Sequence, residues 1–381
     1  MSAEATAARA REVLAVPLAF GARLGRVQEA VERAEVDALV VSTPANIRYL
    51  TGFTGSAGTV LVGGGRALLT TDGRYRTQGA EQLAVSGLGD AVELVVGGLQ
   101  AQRDALVGAL GSLGVRRLGL EADHLTWSAA RRFEADAAGV TLVATSGVVE
   151  ALRQVKDDGE LARMAHAAAI ADAALGETLV LLGTGAREDD VALALDTAMR
   201  RLGGEDRAFE TIVASGPNSA KPHARPTGRV IGPGDCVVID FGAVFDGYRS
   251  DMTRTFCVGG DPPDPMARVF TVVADAQAAG VAAVRAGISA GDVDRACRDR
   301  IADAGWASAF EHGTGHGVGL DIHEAPGVGP GSTAILAPGV VVTVEPGEYL
   351  SGTGGVRVED TVVVTEGGCR PLTTFPKDIA A

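Results

Sequence analysis

Histidine is scarce in this 381-residue chain, with six in all, and cysteine is scarcer still, with four. Cys236, Cys257, Cys297 and Cys369 lie far apart and form no CxxC pair. That spacing excludes a thiolate zinc site and a disulfide framework, and reduced buried thiols in a cytoplasmic protein are the expectation. Basic charge is also in deficit, since 34 Lys and Arg stand against 48 Asp and Glu, a formal net charge of −14. Phosphate binding needs a basic surface, so nucleic acid is excluded as the main partner. No uninterrupted apolar run reaches the ~18 residues that suggest a membrane span. The early stretch "VLAVPLAF" is short, contains Pro17 and follows acidic Glu12, so it reads as an ordered lead-in and not as a signal peptide.

What the chain does have is length and a large apolar share. Its size and its hydrophobic share of 46% suggest two domains with separate cores. Residues 1–150 alternate strand-like and helix-like stretches. "DALVVS" and "GTVLVGGGRALLTT" read as strands, the second folded at Gly63–Gly65, and "RYRTQGAEQL" and "GGLQAQRDALVGAL" read as helices. "RRLGLEA" and "VTLVAT" add further strands, completing an α/β domain. Around "SGVVEALRQVKDDGELARM" the pattern predicts one long amphipathic helix, with the domain boundary near residue 150. Residues 151–381 then carry an internal echo. Helices near 158–183 and 187–203 precede one strand pair, and helices near 264–286 and 290–304 precede a second, which predicts a pseudo-twofold α+β domain.

The chemistry concentrates in that second half. In "VVIDFGAVFDGYRSDMTRTF" the dipeptide Asp246-Gly247 signals a two-residue hairpin turn. With that turn, residue 240 faces 253 and residue 242 faces 251, so Asp240 and Asp251 share a face as diagonal neighbours. Two carboxylates so placed need a proton, a base or a metal. Glu345 ends the run "VVTV" directly before Pro346. Glu359 lies in "VRVEDTVVV" two residues after Arg357, which shares its face and can steady the cluster. One such carboxylate is usually a solvated edge residue. Four of them among Val, Ile and Thr, with histidines between them in the chain, would be strongly destabilising without counter-charge. Two divalent cations fit four carboxylates better than one. Oxygen ligands with an imidazole suit Mn²⁺, and tolerate Co²⁺, Fe²⁺ or Zn²⁺. The other motifs tested are absent: "GFTGSAG" is not a G-x-S-x-G elbow, no P-loop occurs, and "GTGHGVG" lacks the dinucleotide spacing. His124 and His166 fall in helix-like stretches and read as structural.

Taken together, "IDFGAVFDGYRSDMTRTF", "HGTGHGVGLDIHEAP", "VTVEPGEYL" and "GGVRVEDTVVV" resemble the pita-bread metallopeptidases, in the branch of Xaa-Pro aminopeptidase and Xaa-Pro dipeptidase (prolidase). "NIRYLTGFTGSAGTVLV" and "TTDGRYRTQ" are similar to that branch's creatinase/prolidase-like N-terminal domain. The resemblance implies an α/β domain over 1–150 followed by a pita-bread catalytic domain over 151–381. It implies a dinuclear site of Asp240, Asp251, His316, Glu345 and Glu359, with Asp251 and Glu359 bridging the ions. His223 and His323 become catalytic histidines beside the metals, Glu345 the proton carrier, and His312 and Arg357 lining groups on the substrate side. The implied reaction is attack by a metal-bridging hydroxide on the N-terminal Xaa-Pro bond. "YLTGFTGSAG" leans the reading toward the aminopeptidase, with the dipeptidase as alternative and a non-catalytic peptide-binding module as a remote one. Arg225 is a candidate for binding a free carboxylate. The family is commonly dimeric, which makes a homodimer the expectation and gives Arg48, Tyr49 and Arg74 possible roles near a neighbour's site.

Overall fold

The computed structural model describes residues 3–260, 262 and 264–378. The chain divides into two compact units, one spanning Leu18–Arg153 and the other running from Gln154 onward together with residues up to Pro17. The expected domain of 1–150 therefore gives up its lead-in. Val13 on the Ala3–Leu14 helix is buried in one cluster with Ala167, Ala171 and Leu175, and Arg163 Nη1 donates to the Val16 carbonyl at 3.0 Å.

The Leu18–Arg153 unit is built on a six-stranded sheet in the order Val92–Val96, Arg66–Thr71, Gly58–Gly63, Ala38–Val41, Arg117–Glu121, Thr141–Thr145. Gly58–Gly63 runs antiparallel to both neighbours and the remaining pairs are parallel. All four residues of Ala38–Val41 are buried, as expected of an unbroken apolar strand covered on both faces. The hairpin after Gly63 closes through Gly64 and Gly65 at φ 55° and 77°, the conformation that the triple glycine supplies. Helices Arg76–Val85 and Leu99–Leu113 fall where the sequence predicts them. His124 does not lie in a helix. It sits in the turn between the Arg117–Glu121 strand and the Trp127–Asp136 helix.

The single long helix expected around residue 150 is two helices, Val148–Arg153 and Asp158–Thr178. The break has a local cause. The Asp157 carboxylate accepts from Glu160 N at 2.9 Å while the Glu160 carboxylate accepts from Asp157 N at 3.0 Å, a reciprocal cap that starts a new helix. Lys156 N meanwhile donates to the Gly339 carbonyl. The stretch Asp158–Thr184 is long and apolar enough to cross a membrane by length and composition. Here its Ala167, Ala171, Ala174 and Leu175 instead pack in a core with Leu195, Met199, Val237 and Phe241.

The expected echo is present in the order of elements. Helices Asp158–Thr178 and Glu188–Arg201 precede strands Cys236–Phe241 and Met252–Cys257. Helices Met266–Ala283 and Ala290–Asp303 precede strands Val341–Val344 and Asp360–Thr365. Within the first strand pair Thr253 faces Asp240, and beyond a break at Gly242 the same register resumes with Val244 facing Arg249. The hairpin tip is Asp246-Gly247 at φ 43° and 71°, the paired positive values of a tight two-residue turn. Gly242 permits the break, because a Cβ there would stand 1.9 Å from the Ser250 carbonyl oxygen.

Candidate metal centre

Four strand ends deliver the carboxylates. Asp240 is the penultimate residue of the Cys236–Phe241 strand, Asp251 precedes Met252–Cys257, Glu345 follows Val341–Val344, and Glu359 lies between Gly354–Arg357 and Asp360–Thr365. His316 comes from the short strand Gly315–Gly317, which pairs with both Glu324–Val328 and Val341–Val344. All five residues line one cavity of about 900 Å³, with His223, His312, His323 and Arg357 in the same wall. Every site residue expected from the sequence is thus brought to one place.

The interior of the cluster is tight. His316 Nε2 lies 3.5 Å from Asp251 Oδ2 and 3.3 Å from Glu345 Oε1. Donor atoms of Asp251, His316 and Glu359 fall within 4.8 Å of one another. His316 Nδ1 is 2.9 Å from the Gly317 carbonyl, which requires an N–H there and leaves the Nε2 lone pair facing the carboxylates. Burial holds His316 in its neutral form by lowering its pKa to about 4. Burial, followed by the charges of Glu359 and Asp240, raises Asp251 well above the usual carboxylate range. Burial, followed by Glu345 and Asp240, does the same to Glu359, and burial pushes Glu345 up to about 7 against the pull of Arg357.

One side of the cluster is satisfied and the other is not. Arg357, 2% exposed, donates from Nη2 to Asp240 Oδ2 at 2.6 Å, from Nε to Thr253 Oγ1 at 3.0 Å, and from Nη1 to Tyr349 Oη at 2.8 Å. Thr253 Oγ1 in turn donates to Glu359 Oε2 at 2.7 Å, and Thr343 Oγ1 donates to Glu345 Oε1 at 3.2 Å. Asp240 Oδ1 and Glu359 Oε1, by contrast, are buried with no hydrogen-bond partner. Buried carboxylate oxygens left in this state need a proton or a cation. Hard oxygen donors with one neutral imidazole fit divalent ions of the Mn²⁺ type.

The histidines divide by surroundings. The rings of His316 and His323 lie edge to face, with centroids 4.4 Å apart. His312 stands farther along the wall, its Nε2 3.0 Å from Tyr349 Oη and its ring against Phe310. His166 is far from this cavity in sequence and setting, packed edge-on to Phe245 inside the helix core. Arg225 also lines the cavity and pairs with Glu210 at 3.0 Å, both largely exposed. Tyr49 is buried and donates to the Leu152 carbonyl, and Arg74 pairs with Asp72. Sequence reasoning missed Thr253, Thr343 and Tyr349. The strand pattern held the signal for two of them, since Thr253 is the cross-strand partner of Asp240 and Thr343 stands two residues before Glu345, whereas Tyr349 lies on the strand of another sheet.

The sequence matches metallopeptidase family M24 over residues 162–366 and the creatinase/prolidase N-terminal domain over residues 23–155. A Xaa-Pro dipeptidase of Pyrococcus furiosus is 32% identical, over 94% of this chain and 99% of its own length. The solved structure of a Xaa-Pro dipeptidase from Bacillus anthracis superposes with TM-score 0.90 at 39% identity, covering 95% of this chain and all of the other. An X-Pro aminopeptidase structure from Thermotoga maritima gives TM-score 0.83 at 34% identity, over 92% and 99% of the two chains.

Proposed function

Because the chain belongs to metallopeptidase family M24, with the pita-bread catalytic fold, we propose that it hydrolyses the peptide bond of Xaa-Pro dipeptides at a pair of divalent metal ions. The observation that carries this reading is the pair of buried carboxylate oxygens without partners, Asp240 Oδ1 and Glu359 Oε1, beside the Asp251–His316–Glu359 cluster. Asp240, Asp251, His316, Glu345 and Glu359 would hold the ions. Bound there, the ions supply Lewis acidity, polarising the scissile carbonyl and making water a nucleophile at neutral pH.

The chain's own residues do the remaining work. Glu345, steadied by Thr343, accepts a proton from the attacking water and delivers it to the proline nitrogen as the bond breaks. A secondary amine is a poor leaving group until it is protonated, so this transfer is needed. Arg357 fixes Asp240 and, through Tyr349, ties that carboxylate to the position of His312. His323 and His223, which both line the cavity, are the donors available to the carbonyl oxygen and to the proline side. Proline lacks an amide hydrogen and has a fixed φ, which gives the scissile bond a shape that a rigid wall can select.

The leaning toward the aminopeptidase drawn from "YLTGFTGSAG" yields to the dipeptidase alternative, which two of the three relatives named above support. Arg225 and Arg207 also support it. Both line the cavity and are tied to the carboxylates of Glu210 and Asp196 by ion pairs that a substrate carboxylate can replace. The second reading, cleavage of longer peptides at the first bond, rests on the roomy cavity of about 900 Å³. A panel of Xaa-Pro, Xaa-Pro-Xaa and Xaa-Ala substrates tests the proposal. A kcat/KM highest for the Xaa-Pro dipeptide supports it, tripeptide cleavage at equal or higher kcat/KM moves the assignment to the aminopeptidase, and preference for Xaa-Ala refutes both.

A further inference from the structure

The loop that carries His223 has no regular structure beyond the turn at Gly216–Ala220, yet it must hold an imidazole at the cavity wall. Its two ends meet at one side chain on another element. Glu188, 0% exposed, opens the Glu188–Arg201 helix. Its Oε1 accepts from Ser215 N and Ser215 Oγ, both at 2.7 Å, where the strand Ile212–Ser215 runs out. Its Oε2 accepts from Thr227 N at 3.0 Å and Thr227 Oγ1 at 2.6 Å, where the loop ends. Asn218 Nδ2 lies 3.1 Å from each oxygen. The backbone repeats the link, because Asp189 N donates to the Thr227 carbonyl and Glu188 N to the Arg229 carbonyl. One carboxylate oxygen therefore serves each end of the loop, and the middle is fastened separately by Arg357 Nη1 donating to the Pro222 carbonyl at 3.1 Å.

We infer that Glu188 is a positioning residue for His223, a buried carboxylate staple that closes the 215–227 loop and sets where the imidazole stands. The inference rests on the peptidase reading, in which His223 faces substrate. Two features of the carboxylate suit it to this role. It offers two equivalent acceptors and no donor, which matches two backbone N–H groups and two hydroxyls arriving from opposite sides. It also stands in the first turn of a helix, where a negative charge is favoured. A carboxamide has the same shape but turns one of its two acceptors into a donor. Glu188→Gln therefore sets an NH₂ group against a backbone N–H and a hydroxyl at one end of the loop, and that end is released.

The test uses the full chain and two readouts. In hydrogen–deuterium exchange, Glu188→Gln should speed exchange across 215–227 by about tenfold or more while the Cys236–Phe241 strand stays unchanged. In kinetics on an Xaa-Pro dipeptide, Glu188→Gln should lower kcat/KM by on the order of 10- to 100-fold, and in a His223→Ala background by less than about threefold, because the residue acts through His223. Unchanged loop exchange, or an undiminished loss on top of His223→Ala, overturns the inference. If Glu188→Gln fails to fold, Thr227→Val, which removes one hydroxyl donor, is judged by the same two readouts in the same directions. Faster loop exchange in Glu188→Gln, together with a wild-type protein that cleaves no Xaa-Pro bond, would leave the staple standing and refute the peptidase reading instead.

Discussion

The rings of His316 and His323 lie 4.4 Å apart with their planes at 75°, and it is His316 whose Nε2 reaches Glu345 Oε1 at 3.3 Å and Asp251 Oδ2 at 3.5 Å. On the proposed reading the neighbouring imidazoles have different tasks. His316→Ala should lower the bound metal measured after gel filtration. His323→Ala should retain the metal yet lose turnover by on the order of 100-fold or more, as for removal of an oxyanion or proton-transfer group. Metal loss from His323→Ala with full retention in His316→Ala would reverse the two roles.

A second prediction concerns Glu348, which lies opposite Val356 on the Gly347–Leu350 strand, is 0% exposed, and has neither carboxylate oxygen hydrogen-bonded. Burial raises its pKa from 4.5 to about 8. An acid whose folded pKa is raised binds its proton more tightly when folded. Its contribution is fully present below the unfolded pKa and drains away as pH climbs toward the folded one, here between about 4.5 and 8. The loss across that window is on the order of 5 kcal/mol. Glu348→Leu should therefore raise the melting temperature more at pH 8 than at pH 5. An advantage of equal size at both values would show that Glu348 carries no such proton.

The third prediction concerns an ion pair next to the His323 segment. Lys156 Nζ stands 3.3 Å from Glu324 Oε2 with side chains 1% and 7% exposed, and Glu324 follows His323 directly. Removing one member of a buried pair costs about 3–5 kcal/mol, while replacing both by apolar groups is often nearly neutral. Lys156→Met should thus lower stability to denaturant by that amount, and Lys156→Met with Glu324→Leu should recover a good part of it. Strictly additive losses in the double variant would contradict the coupling.

Much of this is legible in the sequence. The Asp246-Gly247 turn dictated that Thr253 faces Asp240, and strand alternation then placed Asp251 on the same side. The positions of Glu345 and Glu359 followed from the apolar runs around them. Other relations were hidden because they join residues far apart in the chain. The lead-in helix joins the second unit through Val13, which no local pattern reports. The break at Gln154–Asp157 was masked because amphipathic periodicity continues across it, while the Asp157–Glu160 cap that causes it is a pair of side-chain bonds. Glu188 looks like an ordinary acidic residue at a helix start, and its meaning depends on Ser215 and Thr227 arriving from 27 and 39 residues away.

The central claim is hydrolysis of Xaa-Pro at a two-metal carboxylate site, and a metal titration of the stripped protein tests it most directly. Protein freed of metal by chelation is titrated with Mn²⁺, and hydrolysis of an Xaa-Pro dipeptide is followed against bound metal per chain. The account predicts no hydrolysis in the stripped protein and activity that rises until about two ions are bound per chain. Full activity without metal, or no Xaa-Pro hydrolysis with two ions bound, would contradict it.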